Sequence, residues 1–313
     1  MGKKYLPLVL TLAAVAGLGA YLWLRRDEFS HISLQEPTYL GLCALSILVS
    51  FAVSAVLGNA AVHKLGKPIT LRESLSLSVL STALNLFLPM QSGMAVRAVY
   101  MKRWHGFNYT NFAAILFGCQ VLMILVCSLA AAAAVGWAAL RVAPQGLGPV
   151  AAGVLLCLGA SALAVCLPRI SPRGNWFVDR LAAVTDGWHR LRAQPAFLAG
   201  LTGLSALQLA SQVAAYWSAC EALGVHLTFA DALLVGTFGA LVALLSLTPG
   251  SLGIYEAAVA FVGSNVAVSP FHSVMASLLV RGVLLVLLLV LVPPSVHCLN
   301  RPVTAPEKQR ETT

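Results

Sequence analysis

Two ionisable side chains of this chain stand inside long apolar runs. Glu256 follows an interruption from Pro249 to Gly253 by one helical turn, and Arg281 is surrounded by leucine and valine. A charge within a bilayer is costly unless it is paired, so both side chains are candidates for function. Three interpretations of Arg281 stay open: an ion pair with a carboxylate such as Glu256, contact with a lipid phosphate, or extension to the outer interface.

Proline followed by glycine interrupts two apolar segments at matching places. The first interruption runs from Pro89 to Gly93, and the second from Pro249 through Gly250 to Gly253. Irregular backbone at membrane depth is tolerated only inside protein or against a wet cavity. The helices that start after the two breaks are predicted to present free N–H groups and a positive dipole end, either of which suits a phosphate.

Other polar side chains stand close to these interruptions or on a neighbouring helix. Arg97 follows the first break, where it either anchors the chain at the inner interface or contacts a phosphate. Further polar residues recur on one face of the run 196–220, namely Ser205, Gln208, Gln212 and Tyr216. Such a stripe either joins helices or lines a groove for a headgroup. Asn85 and Gln120 are weaker candidates of the same kind.

The composition places these residues in a membrane protein. Of the 313 residues 59% are hydrophobic and only 10% are charged, against about 25% charged in an ordinary soluble domain. The net charge of +9 arises from basic residues between apolar runs, which favours the positive-inside pattern over nucleic-acid binding. No Cys or His pattern indicates a metal or a disulfide framework, and no phosphate-binding loop indicates ATP use, so no cofactor is expected.

The apolar runs predict an all-α polytopic membrane protein with about six full spans and two re-entrant segments in an inverted repeat. The predicted spans are 6–24, 39–62, 112–138, 147–167, 196–220 and 273–298, the first of them uncleaved. Segments 69–90 and 227–248 are assigned as re-entrant. Residues 1–300 then form one integral membrane domain, and 301–313 a disordered cytoplasmic tail.

Orientation follows from the basic residues. With a cytoplasmic N-terminus and re-entrant 69–90 and 227–248, most of the 20 Lys and Arg residues face the cytoplasm, and only Arg25, Arg26 and Arg141 lie outside. If 69–90 crossed the membrane, the basic loop 168–195 would face outward, against the rule for short loops. Both termini are therefore predicted to be cytoplasmic, in a bacterial inner membrane.

An internal repeat relates two halves, about 39–167 and 196–298. Residues 65–75 match 223–233 at a constant offset of 158, including Thr70 with Thr228 and Glu73 with Asp231. Each threonine precedes its carboxylate by three positions, which predicts a capping box opening a helix in each half. With the orientation above, one copy starts inside and the other outside, the architecture of many secondary transporters.

The loop 168–195 contains a predicted amphipathic helix, about 175–192. Phe177, Leu181, Val184, Trp188 and Leu191 share one helical face, and arginines populate the rest. Such a helix either lies in the headgroup plane or packs on its own protein.

The two interruptions also carry a family resemblance. Residues 248–258, Thr-Pro-Gly-Ser-Leu-Gly-Ile-Tyr-Glu-Ala-Ala, resemble the Pro-Gly-Gly-x-Gly-x-x-Glu signature of the lysylphosphatidylglycerol synthase transmembrane-region, or flippase-like, family. Residues 88–98, Leu-Pro-Met-Gln-Ser-Gly-Met-Ala-Val-Arg-Ala, look like its first motif. Ser251 departs from the middle glycine, and residues 90–92 are larger than usual. The resemblance implies movement of a phospholipid or isoprenoid-type lipid between leaflets.

Three functions follow as hypotheses. The first is a lipid flippase or facilitator with a membrane lipid as substrate, and the second is a non-transporting scaffold or assembly factor for lipid-biosynthesis enzymes. The third, an aminoacyl-phospholipid synthase, would need a large soluble transferase domain, so we expect no enzyme activity. Lipid-site candidates are Gly93, Arg97, Gln208, Gln212, Pro249, Gly250, Gly253, Glu256 and Arg281.

Overall fold

A computed structural model describes residues 19–20, 23–24, 34–64, 69–88, 91–141, 147–166, 168–169, 176–244, 248–265 and 268–300. Its main elements are ten helices: α1 (Thr38–Lys64), α2 (Leu71–Phe87), α3 (Ser92–His105), α4 (Tyr109–Arg141), α5 (Leu147–Val165), α6 (Trp176–Arg192), α7 (Pro195–Ala222), α8 (Phe229–Ala243), α9 (Ile254–Ser264) and α10 (Pro270–Asn300). A short 3₁₀ turn, Pro249–Ser251, precedes α9.

Five helices are long and apolar enough to cross a membrane: α1, α4, α5, α7 and α10. They correspond to five of the six predicted spans. The predicted span 6–24 lies almost wholly outside the described residues, and so does the predicted tail 301–313. Segments 69–90 and 227–248 form the shorter helices α2 and α8, of 17 and 15 residues.

The helix starts predicted at the two threonines are confirmed. Thr70 accepts a hydrogen bond from the Glu73 amide at 3.2 Å, and Thr228 accepts one from the Asp231 amide at 3.3 Å. The Glu73 carboxylate does not complete a capping box, because it accepts hydrogen bonds from α3 instead. A threonine oxygen at this position satisfies an amide that the helix itself leaves unpaired.

Two sets of four helices follow one another in the same order of lengths. α1 to α4 contain 27, 17, 14 and 33 residues, and α7 to α10 contain 28, 15, 11 and 31. Packing between the sets is reciprocal, since α2 packs on α10 while α8 packs on α4. Reciprocal contacts of this kind are what two-fold related units make.

One contact lies close to the axis that would relate the two sets of helices. In the packing of α1 on α7, the Gln208 amide donates to the Ser50 hydroxyl at 2.5 Å, and these residues lie 158 positions apart. That separation equals the offset of the sequence repeat, so each residue contacts its own repeat partner. Only residues close to an axis between equivalent units can do so.

Helix α6 packs on α4 and α7. Trp188 is fully buried among Leu122 and Leu201, and its ring meets Phe117 edge-on at 6.2 Å between centroids. An indole lying in the headgroup plane would be accessible from outside the protein. At Trp188 the helix therefore rests on its own protein, the second of the two interpretations above.

Candidate functional site

An ion pair links the second broken helix to the middle of α10. The Arg281 Nε donates to Glu256 Oε1 at 2.7 Å, and its Nη1 donates to the Gly250 carbonyl oxygen at 2.7 Å. The Glu256 side chain is 2% exposed and that of Arg281 is 15% exposed. Of the three interpretations of Arg281, the structure has the ion pair. The pair cancels two charges that would be costly apart.

The backbone just before α9, residues 248–253, places Glu256 for this role. Gly250, Ser251 and Gly253 have φ of 55°, 56° and 81°, so the chain turns sharply before α9. Glu256 stands in the first turn of α9, where its Oε2 accepts from the Gly253 amide at 2.6 Å. One carboxylate thus caps α9 and holds Arg281, which couples the start of the helix to the ion pair.

The start of α3, after the first break, resembles the start of α9 but uses neutral groups. Gln91 has φ of 52° and stands 160 positions before Ser251, which also has a positive φ. The Asn85 side-chain oxygen accepts from the Gly93 amide at 2.8 Å. A Cβ on Gly93 would lie 2.1 Å from the Ser81 carbonyl oxygen, so a glycine is required. The sequence predicted free amides after the two breaks. In the structure the amides of Gly93 and Gly253 are instead hydrogen-bonded within the protein.

The two breaks contact each other. The Gln91 side-chain Nε2 donates to the Leu244 carbonyl oxygen at 3.0 Å, which satisfies a group at the end of α8. On the other side, a Cβ on Gly250 would lie 2.8 Å from Leu86 Cδ1, because Gly250 sits against the end of α2. Backbone that leaves the helices in one half thus finds partners in the other half.

A cavity of about 300 Å³ lies between the halves, and we call it the inter-half cavity. Six of the polar residues that line it are Ser50, Ser54, Thr82, Gln208, Gln212 and Tyr216. The side-chain oxygen of Gln208 is buried and has no hydrogen-bond partner within the described segments. Tyr255 also lines the cavity, and its ring centroid is 5.6 Å from Arg281 Cζ. Gln208, Gln212 and Tyr216 of the polar stripe therefore line a groove, and Gln208 also joins two helices.

Arg97 lies apart from the ion pair and is buried within the protein. It is 6% exposed, and its Nη2 donates to the Ser74 hydroxyl at 3.4 Å. Gly58 of α1 makes room for it, since a Cβ there would lie 2.2 Å from Nη2. No carboxylate in the described part of the chain is within 4.0 Å of the guanidinium. Its contact with a phosphate remains a prediction.

Two carboxylate–imidazole pairs were missed from the sequence. Glu73 accepts from the Tyr100 hydroxyl at 2.6 Å and meets His105 Nε2 at 2.8 Å, while Glu221 meets His226 Nδ1 at 2.7 Å. Burial, and then the hydrogen bond to Glu73, raises the pKa of the Tyr100 phenol, so Tyr100 stays the donor. For the second pair the sequence did contain a signal, because Glu221 directly follows the predicted span 196–220 and a carboxylate at such a place needs a partner.

The described side chains provide no cluster of three or more His, Cys, Asp or Glu residues for a metal. All seven cysteines are free thiols. The chemistry that this site offers is therefore hydrogen bonding and charge pairing inside a helical bundle.

These features define a class: a multi-pass helical membrane protein whose bundle contains paired broken helices and a polar cavity. The family described as Lysylphosphatidylglycerol synthase TM region matches residues 8–291, nearly the whole chain, and the chain belongs to that family. Comparisons with curated proteins and with solved structures gave no significant match.

Proposed function

We propose that this protein moves a phospholipid or isoprenoid-type lipid between the leaflets of a bacterial inner membrane, without itself catalysing a covalent step. One observation carries the proposal: the two helix breaks meet beside a polar cavity within a bundle of membrane-spanning helices. A polar headgroup crosses a bilayer only where protein replaces its water, and irregular backbone is tolerated there only against such a cavity.

The topology that we propose makes α2 with α3, and α8 with α9, re-entrant hairpins that return to their side of origin. α2 would extend about 26 Å at 1.5 Å per residue, so a return before the far side requires the break that follows it. The two sets of helices are then inverted in the membrane, with both termini in the cytoplasm. The reciprocal packing of α2 on α10 and of α8 on α4 supports this arrangement.

In this mechanism the headgroup enters the inter-half cavity while the tails stay in the bilayer. Gln208 and Gln212 on α7 and Ser50 on α1 replace hydration of the headgroup. The pair between Glu256 and Arg281 holds the second break to α10, next to Tyr255 of the cavity lining. Separation of α9 from α10 would widen the cavity at Tyr255, at the energetic cost of parting the two charges.

The test is lipid movement in reconstituted vesicles, measured by dithionite quenching of fluorescent lipid in the outer leaflet. We expect wild-type vesicles to lose the protected signal faster than protein-free vesicles, and Glu256→Gln and Arg281→Ala to be slower than wild type. Asp186→Asn is a matched control, because it removes one partner of an exposed pair at 4.0 Å. Wild-type rates equal to those of empty vesicles, or of both buried-pair variants, would contradict the proposal.

A scaffold for lipid-biosynthesis enzymes is the second candidate function. Arg281 favours it in one respect, because its partners are already present inside the protein, as in a purely structural ion pair. A scaffold predicts that Glu256→Gln acts only through stability. Complementation of a deletion strain by a folded Glu256→Gln variant, together with loss of complementation on removal of α6, would favour this function over translocation.

A further inference from the structure

The inter-half cavity has a chemical character that restricts what it binds. Its polar lining consists of hydroxyl and carboxamide groups, and none of the described lining residues carries a charge. Apolar side chains, among them Ile47, Phe51 and Leu284, complete the wall. A cavity of this composition can exchange hydrogen bonds with a ligand while supplying no counter-charge.

The charge that contacts Tyr255 of this lining is already paired. Arg281 Cζ lies 5.6 Å from the Tyr255 ring, and the Arg281 guanidinium donates to Glu256 at 2.7 Å. A phosphate approaching Arg281 would have to displace the Glu256 carboxylate or lie beside it, which like charges disfavour. An ammonium group would lose its water and meet no net negative charge. Both kinds of charged headgroup are therefore poorly matched to this cavity.

A buried oxygen indicates what would match it. The Gln208 side-chain amide already donates to Ser50, but its side-chain oxygen has no donor among the described residues. A phosphodiester carries no donor for the Gln208 oxygen, and an ammonium group carries no acceptor. Hydroxyl groups do both. An uncharged ligand with several hydroxyls would complete the hydrogen bonds that the cavity leaves open.

We propose that the inter-half cavity binds an uncharged, hydroxyl-bearing headgroup, a sugar ring or small polyol, of a membrane lipid. This inference rests on the proposed function, because it takes the cavity as the headgroup's place during translocation. It narrows the lipids proposed there to those whose headgroup carries no charge, which excludes phospholipids. A volume of about 300 Å³ equals about ten waters at 30 Å³ each, which suits one ring. Ile47, Phe51 and Leu284 provide an apolar wall for the start of the tails, so a lipid is favoured over a free sugar.

The first experiment measures binding by native mass spectrometry. The purified full chain is equilibrated with equal amounts of monoglucosyl-diacylglycerol, phosphatidic acid and phosphatidylethanolamine, all with the same acyl chains. We expect the glucosyl lipid to be retained at least fivefold more than either phospholipid. Equal or greater retention of a phospholipid would overturn the inference.

Variants then test whether the preference for the glucosyl lipid arises in the inter-half cavity. Gln208→Leu removes the open acceptor, and Ser50→Ala changes the lining by one hydroxyl and serves where the first variant folds poorly. Leu207→Ala is the matched control on α7, because Leu207 is 49% exposed on the outside of the bundle and does not line the cavity. We expect the first two variants to lose most of the preference and the control to keep it. A preference that survives in both cavity variants places the binding elsewhere and refutes the inference.

Two further arms separate this inference from the proposed function. If the glucosyl lipid is retained selectively but no lipid moves in vesicles, the binding inference holds and translocation fails. If lipids move without selective retention, translocation holds and the inference fails. Free glucose is the last arm: displacement of the glucosyl lipid by an equal concentration of glucose would show that the tails contribute nothing, and would refute a lipid ligand.

Discussion

A double-mutant cycle can measure how much Glu256, Arg281 and the interaction between them each contribute to the free energy of unfolding. Removing one partner of a buried ion pair costs about 3–5 kcal/mol. Glu256→Gln keeps an acceptor for the Gly253 amide. Arg281 is partly exposed and keeps its bond to Gly250. We therefore expect this variant to lose about 3 kcal/mol of the free energy of unfolding, the low end of that range. Arg281→Met leaves a carboxylate that is 2% exposed without its cation, so we expect about 4 kcal/mol.

The double variant tests the reasoning, because neither charge is then left alone. We expect a loss of about 2 kcal/mol in the free energy of unfolding for it, because the Gly250 carbonyl still loses its donor, and hence a coupling energy of about 5 kcal/mol. The free energy of unfolding is measured in mixed micelles of dodecylmaltoside and sodium dodecyl sulfate, with far-ultraviolet circular dichroism as the signal. Single-variant losses below about 1 kcal/mol, the range of exposed pairs, or losses that add in the double variant, would refute a desolvated, mutually dependent pair.

Four other substitutions have outcomes set by their surroundings. Gly93→Ala is expected to lower the free energy of unfolding by at least about 2 kcal/mol, because its Cβ would lie 2.1 Å from a backbone oxygen. Gly136→Ala is the comparison: a Cβ there would meet nothing within 4 Å, so this variant should be more stable by up to about 1 kcal/mol. Thr70→Ala should cost about 1 kcal/mol, since the Glu73 amide loses its cap. Trp188→Ala should cost about 3–5 kcal/mol, because the fully buried ring leaves a cavity beneath α6. The same unfolding titration measures all four variants.

Limited proteolysis provides a second measurement for Trp188→Ala, since a loosened α6 should be cleaved faster within 168–195. Thr70→Ser is the control for the cap, because it retains the oxygen. A Gly93→Ala protein as stable as Gly136→Ala would show that α2 and α3 are not held as closely as described. Unchanged stability of Trp188→Ala would contradict its buried position.

Sequence reasoning predicted the features that depend on local patterns. Apolar length gave the five described spans, and a threonine three positions before a carboxylate gave the starts of α2 and α8. The repeat was visible because caps and breaks recur in register. These signals lie within one helix or one turn, where spacing determines geometry.

The remaining features depend on contacts that no local pattern encodes. Arg97 is buried because Gly58, 39 positions earlier on another helix, leaves space for it. Glu73 meets His105 at 32 positions of separation, and this removed its carboxylate from the predicted capping box. Three interpretations of Arg281 could not be separated from the sequence, since the choice required the position of α9 relative to α10.

The ion pair occurs in one half only, and this has a thermodynamic consequence. The positions 160 residues before Glu256 and Arg281 are occupied by Val96 and Val121. In a protein with equivalent halves, interchanging their conformations would give a mirror state of equal free energy. Here the interchange would separate the charges of Glu256 and Arg281 in one half, whereas in the other half it would bring together only Val96 and Val121, which form no ion pair. In the proposed translocation cycle, the conformation that keeps the ion pair therefore has the lower free energy, and the two facing states are unequally populated.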